Sequence, residues 1–322
     1  MPKILITGKS GFIGQALEKR LLSKYYNIQI LDLGCDLRDH IRVSEVVINS
    51  NPDLIIHLAA MTEVEKSFYE QTSFSEVNYV GTINLIEAAK KCKNLKNLIF
   101  SSTMETYGWQ PISDEIKKIS YSGDMTDDEI YKHFIDKVRR SAFNETTIQN
   151  PNAPYAVAKM GCEKYLEYAN RAYGLPYTYL RQTNAYGRWD NNFFVVEQII
   201  TQMLNNSDSI SLGYKYPWRN FLYIEDLIDL YMILIDASFS DSAKILGGFC
   251  CGPNNAIPIF ELVNIIAEKM RYSGKVVWDT KPIRPGEIYC LNSDNVKIHQ
   301  HTGWSPKVCL SDGLDLTIKK WK

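Results

Sequence analysis

The first fourteen residues constrain the fold of this chain more than any other stretch does. Residues 4–6 form a short apolar run that is typical of a buried parallel strand, and an amphipathic helix is predicted soon afterwards. Between them the chain turns through Gly8, Gly11 and Gly14, spaced as GxxGxxG. Gly8 permits a tight turn, Gly11 lets the backbone approach a pyrophosphate, and Gly14 lets the helix pack close to the sheet. The stretch therefore predicts a dinucleotide-binding site.

A second apolar strand is predicted over residues 28–31, and it ends in Asp32, eighteen residues after Gly14. A carboxylate at this point can accept hydrogen bonds from both hydroxyls of an adenosine ribose. The same carboxylate would repel a 2′-phosphate. We therefore expect the cofactor to be NAD rather than NADP.

Length, charge and cysteine usage narrow the class of protein. A chain of 322 residues can bury a large core, as one big domain or two closely joined ones. Its net charge of −1 predicts neither nucleic-acid nor membrane binding, and no apolar run has membrane length. The seven cysteines are scattered without a CxxC pair, and the chain starts with a strand rather than a signal peptide, so we expect a cytoplasmic protein. His299 and His301 have no cysteine partners nearby, and we expect no metal site there.

The alternation of elements after Asp32 predicts the fold class. A helix at about 39–50, a strand at 53–57, a helix at about 72–91 and a strand at 97–100 follow one another. Strands that alternate with helices favour an α/β fold, a doubly wound parallel sheet of the Rossmann type. Further helices are predicted at 155–173, 193–205, 225–237 and 258–270, and further strands at 177–180 and near 210, 222, 247 and 276.

A polar segment, 110–150, interrupts this alternation and contains one predicted amphipathic helix at 127–140. We interpret the segment as a surface insertion near the active site, with a substrate lid or a partner contact as the alternative. We expect residues 1–182 to form the NAD-binding domain. Residues 183–322 are expected to form a smaller mixed α/β substrate domain, with some segments returning to the first domain.

Tyr155 and Lys159 form a YxxxK pair on a predicted helix, where residues four apart share a face. An ammonium beside a phenol favours the phenolate, so this spacing predicts a lowered tyrosine pKa. Such a pair can take a proton from a sugar or alcohol hydroxyl while hydride leaves for nicotinamide. The order of the glycine turn, the acidic strand end, the hydroxyl residues 101–103 and YxxxK supports this interpretation.

Short motifs occur along nearly the whole chain. They are TGKSGFIG at 7–14, HLAA at 57–60, FSSTMETYG at 100–108, PYAVAK at 154–159, TNAYG at 183–187, RNFLYIEDL at 219–227, RPGE at 284–287 and GWSP at 303–306. Together these motifs resemble one family, the extended short-chain dehydrogenases/reductases, and specifically its NAD-dependent nucleotide-sugar epimerases and dehydratases.

The resemblance implies a shared first step, in which Tyr155, Lys159 and Thr103 act on the sugar 4-hydroxyl and C4 is oxidised to a ketone. Glu105 matches the residue that removes the C5 proton in the 4,6-dehydratases. Met104 departs from that pattern, because the dehydratases carry there a residue that helps water to leave from C6. The resemblance therefore implies a 4,6-dehydratase-type lyase, and an epimerase acting at C4 or C5 stays open.

Two further alternatives are a uronic-acid decarboxylase, which forms the same 4-keto intermediate, and an NADPH-dependent sugar 4-ketoreductase. The short stretch between Asp32 and His57 resembles that of the ketoreductases, although Asp32 disfavours NADPH.

The resemblance also implies a set of binding residues, a nucleotide-diphosphate sugar as substrate with its nucleotide (UDP, dTDP, GDP or CDP) left open, and a homodimer formed through the helices at 72–91 and 155–173. The implied NAD contacts are Gly8, Gly11, Phe12, Ile13, Gly14, Asp32, Asp36, Leu37, Ala59, Ala60, Thr62, Ser101, Tyr155 and Lys159, and the implied substrate contacts are Thr103, Met104, Asn184, Arg219 and Arg284.

Overall fold

A computed structural model describes residues 1–25, 27–282 and 284–322. Its strands are β1 Lys3–Thr7, β2 Gln29–Asp32, β3 Leu54–His57, β4 Asn97–Thr103, β5 Tyr177–Gln182, β6 Asn184–Tyr186, β7 Ser209–Ser211, β8 Trp218–Arg219, β9 Phe221–Tyr223, β10 Gly247–Cys251, β11 Ile257–Pro258, β12 Lys275–Val277 and β13 Cys290–Leu291. Its helices are α1 Phe12–Lys24, α2 His40–Ser50, α3 Val64–Ser67, α4 Gln71–Ser75, α5 Gly81–Ala89, α6 Pro111–Ser120, α7 Asp127–Arg140, α8 Pro154–Tyr173, α9 Val195–Asn205, α10 Ile224–Ser240, α11 Ile259–Met270, α12 Val296–Thr302 and α13 Leu310–Trp321.

The central sheet has the order β10–β5–β4–β3–β1–β2, and every pairing in it is parallel. Helices cover both faces, so the apolar residues of a strand divide between two cores. Ile4 and Ile6 pack toward α1 and α10, whereas Leu5 packs toward α2, α5 and α8. This confirms the predicted α/β doubly wound sheet, and it explains why the strands are continuous apolar runs.

Strand β2 is an edge of this sheet, because among the described residues only α2 lies between Asp32 and Leu54. The short stretch noted in the sequence therefore carries no further strand. As a result, Asp32 stands at the carboxyl end of an edge strand, paired in register with Ile6 of β1.

The helix predicted over 72–91 is divided by a π-helical turn, Glu76–Val80, that lies between α4 and α5. Within this turn the Asn78 side chain bonds the backbone N–H and the carbonyl of Met61, both at 2.8 Å. The Asn78 carbonyl accepts hydrogen bonds from the Thr82 hydroxyl at 2.6 Å and the Cys162 thiol at 3.1 Å. The turn therefore ties the loop after β3 to helix α8, an arrangement that the apolar period of the sequence did not reveal.

The smaller region consists of short strand pairs, β6 with β9, β7 with β12, and β8 with β11 and β13. The predicted helix at 127–140 is confirmed as α7, and its capping box is formed by Thr126 and Glu129. Helix α6, which the sequence analysis missed, packs with α7 against Trp218 and Phe260 of this region. Helices α12 and α13 were also not predicted. None of the described helices is long and apolar enough to cross a membrane.

Candidate active site

The glycine turn after β1 leaves no room for side chains at two positions. Gly8 has a φ of +70°, and a Cβ on it would lie 2.7 Å from the Ala59 nitrogen. A Cβ on Gly14 would lie 2.4 Å from the Gly8 carbonyl oxygen. Gly14 is therefore needed for packing against the turn itself, rather than against the sheet as the sequence suggested. A Cβ on Gly11 would come within only 3.3 Å of that oxygen, which leaves its other side open at the start of α1.

The residues predicted to hold the adenosine lie beyond β2. Asp32 is exposed at the strand end, whereas Leu37 is buried in the core beside Gly81. Arg38 bonds the Asp36 carboxylate at 2.6 Å through its guanidinium and at 2.9 Å through its backbone N–H, which lowers the pKa of Asp36 to about 2. The same guanidinium lies 3.9 Å from Glu76. Arg38, the cation nearest in sequence to the residues predicted to hold the adenosine, therefore already lies beside two carboxylates.

The residues after β3 border both the turn and the cavities. The Ala59 nitrogen donates to the Thr7 hydroxyl at 3.2 Å. Ala60 and Thr62 line a cavity of about 160 Å³. That cavity is also lined by Ile13, Ser101, Thr103, Met104, Glu105, Tyr155, Lys159, Gln182, Asn184 and Arg188.

Helix α8 places Tyr155 and Lys159 in this cavity, and strand β4, longer than predicted, brings Thr103 there. The Lys159 ammonium donates to the Ser101 carbonyl at 2.7 Å and lies 4.6 Å from the centre of the Phe100 ring. Burial lowers the pKa of Lys159 to about 8, against the opposing effects of Cys162 and Glu163.

The Tyr155 hydroxyl behaves differently from the sequence-based expectation. Its burial and the negative charge of Glu105 raise its pKa, and the Thr103 hydroxyl acts in the opposite direction. The predicted lowering of the tyrosine pKa is therefore wrong for the protein alone. The reason is geometric, since the Lys159 ammonium is directed at the Ser101 carbonyl, while burial is the largest effect on Tyr155.

Glu105 lies in a 3-10 turn, Met104–Tyr107, that begins where β4 ends. Its backbone N–H donates to Thr103 Oγ1 at 3.2 Å, and both residues line the smaller cavity. Burial raises the pKa of Glu105, while Arg219 and Arg284 oppose the shift. Met104, by contrast, is only 2% exposed and packs in an apolar cluster with Tyr107.

A second cavity, of about 620 Å³, adjoins the first, and Glu105 and Asn184 line both. Arg219 and Arg284 line this larger cavity, and both pair with Glu287, at 3.1 and 2.7 Å. Two guanidinium groups beside one another can present N–H groups in the geometry that suits a phosphate-bearing ligand.

A buried network beneath the cavities links these elements. Arg181 on β5 pairs with Glu163 on α8 at 2.7 Å and donates to the Tyr107 hydroxyl at 2.6 Å. Glu163 also accepts from Ser102, the neighbour of Thr103. The network therefore fixes the helix that carries Tyr155 against the turn that carries Glu105.

The sequence analysis missed several polar residues of the site. The His57 ring lies 2.6 Å from the Thr7 hydroxyl and 2.8 Å from the Thr82 hydroxyl, and burial lowers its pKa to about 3. Gln182 donates to the Ser101 hydroxyl at 2.9 Å, and its buried Oε1 has no hydrogen-bond partner among the described residues. Its place at the end of β5, among strand ends that bear ligands, was the available signal.

Known proteins that are similar to this chain are nucleotide-sugar dehydratases and epimerases. The family model described as the NAD dependent epimerase/dehydratase family matches residues 4–245. The dTDP-D-glucose 4,6-dehydratase of Dictyostelium discoideum is 32% identical over 72% of this chain, and the matched part spans 55% of that relative. The dTDP-glucose 4,6-dehydratase of Haemophilus influenzae is 25% identical over 99% of this chain and 97% of its own length. The crystal structure of the UDP-glucose 4-epimerase of Thermus thermophilus, a complex with NAD, superposes with a TM-score of 0.79 at 25% identity, covering 99% of this chain and 98% of that one.

Proposed function

This chain belongs to the NAD-dependent epimerase/dehydratase family, and on that premise we propose that it is a nucleotide-sugar 4,6-dehydratase-type lyase. The proposed reaction begins with oxidation of the sugar at C4 and continues with loss of water across C5 and C6. It ends with return of the hydride to C6 and of a solvent proton to C5. The observation that carries the choice of a dehydratase is Glu105, a carboxylate with a raised pKa in the same cavity as Tyr155 and Thr103.

The residues of the site fit NAD. The turn at Gly8 and Gly14 admits no side chain, and Gly11 is exposed at the start of α1. Gln182 Oε1 is a buried acceptor without a partner in the described chain. NAD supplies a hydride acceptor when it is bound. We assign the adenosine end to Asp32 and Asp36, and the nicotinamide end to the cavity around Ser101 and Tyr155.

We assign the proton transfer at the 4-hydroxyl to Tyr155, with Thr103 as its hydrogen-bonding neighbour on the 4-oxygen. Lys159, held by the Ser101 carbonyl, orients this corner and carries a positive charge that stabilises a tyrosinate. Because Tyr155 is buried and close to Glu105, its proton is retained until substrate and cofactor change the local charge.

Glu105 is the proposed base for the C5 proton, which becomes acidic once C4 is a ketone. A carboxylate whose pKa is raised by burial is a stronger base than an exposed one. Arg219 and Arg284, with Asn184, are the proposed contacts of the sugar diphosphate, because guanidinium groups match phosphate geometry. These contacts are made to the diphosphate, which UDP, dTDP, GDP and CDP sugars share.

A C5 or C4 epimerase is the second candidate, and Met104 favours it. A thioether donates no proton to the departing C6 oxygen, and Met104 is enclosed in an apolar cluster. In the dehydratase reaction, Glu105 or water would therefore have to protonate that oxygen.

The test is turnover of a panel of nucleotide sugars in heavy water, with product masses recorded for the wild type, Glu105→Gln and Glu45→Gln. Glu45 is an exposed carboxylate on α2 paired with Arg42, so its variant is the matched control. The proposal expects loss of water with one deuterium gained in the wild type and the control. The Glu105→Gln variant should still transfer hydride from C4 of the sugar to the nicotinamide, but its product should carry no deuterium at C5.

Two outcomes would contradict the lyase. Deuterium at C5 without loss of water would indicate a C5 epimerase. An unchanged mass with a new sugar on chromatography would indicate C4 epimerisation, and would make Glu105 a structural residue.

We further propose that residues 1–182 are the NAD-binding domain and residues 183–322 the nucleotide-sugar-binding region, from which β10 returns to the central sheet.

We also propose a homodimer through α4–α5 and α8, since Val80, Val157 and Tyr168 expose 45%, 51% and 41% of their surfaces there. Sedimentation equilibrium of the wild type and Val157→Glu tests the dimer. A wild-type monomer would contradict it.

A further inference from the structure

One guanidinium is buried at the start of helix α1 without an ion pair. Arg188 is 8% exposed, and its guanidinium carbon lies 4.2 Å from the centre of the Phe12 ring and 3.8 Å from that of Phe194. Its Nη1 donates to the Ala185 carbonyl at 2.9 Å. Within residues 1–25, 27–282 and 284–322, no carboxylate lies within ion-pair distance of it. Since a buried charge is normally paired, we expect the Arg188 guanidinium to bind an anion.

Side chains form hydrogen bonds with every backbone N–H and carbonyl group of Gly187 and Arg188. Glu197 Oε1 accepts from the N–H groups of Gly187 and Arg188, at 3.0 and 3.1 Å. Lys320 donates to the Gly187 carbonyl at 3.0 Å, and Trp321 donates to the Arg188 carbonyl at 2.8 Å. Such a segment loses little entropy when a ligand binds, so the guanidinium is preorganised.

Glu197 therefore uses Oε1 for the backbone, whereas its buried Oε2 has no hydrogen-bond partner among the described residues. Glu197 and Asp190 attract the guanidinium from a distance, but burial has the larger effect and lowers the pKa of Arg188. Of the guanidinium N–H groups, only Nη1 has a hydrogen-bond acceptor among the described residues, so the other nitrogens are available to an anion.

The position of Arg188 indicates which anion it meets. It lines the smaller cavity with Ile13 and Tyr155, whereas Arg219 and Arg284 line the larger one. Phe12, on which it stacks, is the first residue of α1 and follows Gly11, the open glycine of the turn. A helix N-terminus after such a turn attracts a pyrophosphate.

We propose that Arg188 is a cofactor-binding residue whose guanidinium contacts the pyrophosphate of the dinucleotide, separately from the arginines of the sugar-diphosphate site. Arginine suits this place better than lysine, because a planar guanidinium stacks on two rings and still presents N–H groups at its edge. The inference rests on the NAD binding of the proposed function, and it is independent of the reaction at the sugar.

The experiment titrates ADP-ribose and UDP, by calorimetry, into protein freed of endogenous dinucleotide. The variants are Arg188→Met, Arg188→Lys and Phe194→Leu, with Arg219→Met as the reciprocal control. Arg188→Met should weaken ADP-ribose binding about tenfold or more, the range for one hydrogen bond to a charged group, while UDP binding stays within about twofold. Arg219→Met should do the opposite. Arg188→Lys should recover part of the loss.

A merely structural role predicts other results. If Arg188→Met bound ADP-ribose as the wild type does, or lost ADP-ribose and UDP equally, the proposal would be wrong. If Phe194→Leu lost as much ADP-ribose affinity as Arg188→Met, stacking rather than charge would be responsible, which also overturns it. As a further measure, added NaCl should weaken ADP-ribose binding more in the wild type than in Arg188→Met. Sugar turnover enters none of these measurements, so failure of the proposed reaction leaves the test intact.

Discussion

The ammonium of Lys159 donates a hydrogen bond of 2.7 Å to the carbonyl oxygen of Ser101, and this contact joins helix α8 to the end of strand β4. Lysine and carbonyl are both buried, so the protein pays desolvation for a charge in its interior. This desolvation lowers the stability of the folded protein in order to keep an ammonium in the site.

Lys159→Met is expected to be more stable than the wild type near neutral pH and to lose activity. The folded-state pKa of about 8 lies below the ordinary value of 10.5, so burying the charged form costs about 3 kcal/mol at about pH 7. The lost hydrogen bond to Ser101 offsets about 1 kcal/mol of the gain. Proton transfer at the sugar hydroxyl should slow by about 10²-fold or more.

The pH dependence of that stability follows from linkage. Between the two pKa values the unfolded chain binds more protons than the folded one, so wild-type stability rises with pH and the advantage of Lys159→Met shrinks. Urea unfolding across this pH range measures the effect. Lys164→Met, an exposed lysine on the same helix paired with Glu167, is the control and should show no such trend. An advantage for Lys159→Met that is constant in pH would refute the argument.

As the pH falls, Glu105 should become protonated, and so stop acting as a base, at a higher pH than an ordinary glutamate does. Burial raises its pKa above 4.5, so the acid limb of C5 deuterium exchange should lie above that pH. Arg219 and Arg284 oppose this shift, so Arg219→Met should move the limb further upward. Exchange rates followed by mass spectrometry at saturating substrate test this. A limb that moves downward in Arg219→Met would contradict the assignment of Glu105 as the base.

Two glycine substitutions should separate folding from cofactor binding. Gly14→Ala places a Cβ 2.4 Å from the Gly8 carbonyl oxygen and should lower thermal stability and dinucleotide content together. Gly11→Ala meets its nearest atom at 3.3 Å, so it should fold normally and bind NAD about tenfold more weakly. Thermal melts measure the stability of each variant, and chromatography of released dinucleotide measures its cofactor content. A Gly11→Ala variant that folds normally and retains as much dinucleotide as the wild type would show that the open side of Gly11 has no role in binding.

The cofactor preference should depend on the carboxylates around Arg38. Asp36 pairs with this guanidinium at 2.6 Å, and Asp32 disfavours a 2′-phosphate. Replacing Asp32 by Ser and Asp36 by Ala should release Arg38 from its shorter ion pair, with only the 3.9 Å contact to Glu76 remaining, and improve NADP binding relative to NAD by about tenfold. Titration with ADP-ribose and its 2′-phosphate measures the ratio. An unchanged ratio would mean that Arg38 does not face the ribose.

Some parts of the site were open to prediction because they are encoded over a few residues. The turn through Gly8 is one, since its φ of +70° needs glycine, and the YxxxK spacing on α8 is another. The predicted helix at 127–140 is a third, since its caps and its apolar period are local. The predicted helix at 72–91 missed its π-helical turn, because that turn depends on contacts of Asn78 with Met61 and Cys162, which lie elsewhere in the chain.

By itself, the sequence determined the alternation of strands and helices, the glycine turn, the acidic end of β2 and the identity of the residues that can move a proton. These depend on backbone conformation and on apolar periodicity, which neighbouring residues decide. Only the tertiary structure decided that Lys159 is directed at a carbonyl while burial and Glu105 raise the pKa of Tyr155. It also decided that Arg188 is enclosed between two aromatic rings beside the glycine turn. Burial and charge at a point in a cavity are set by segments that are distant in the chain, and no local pattern reports them.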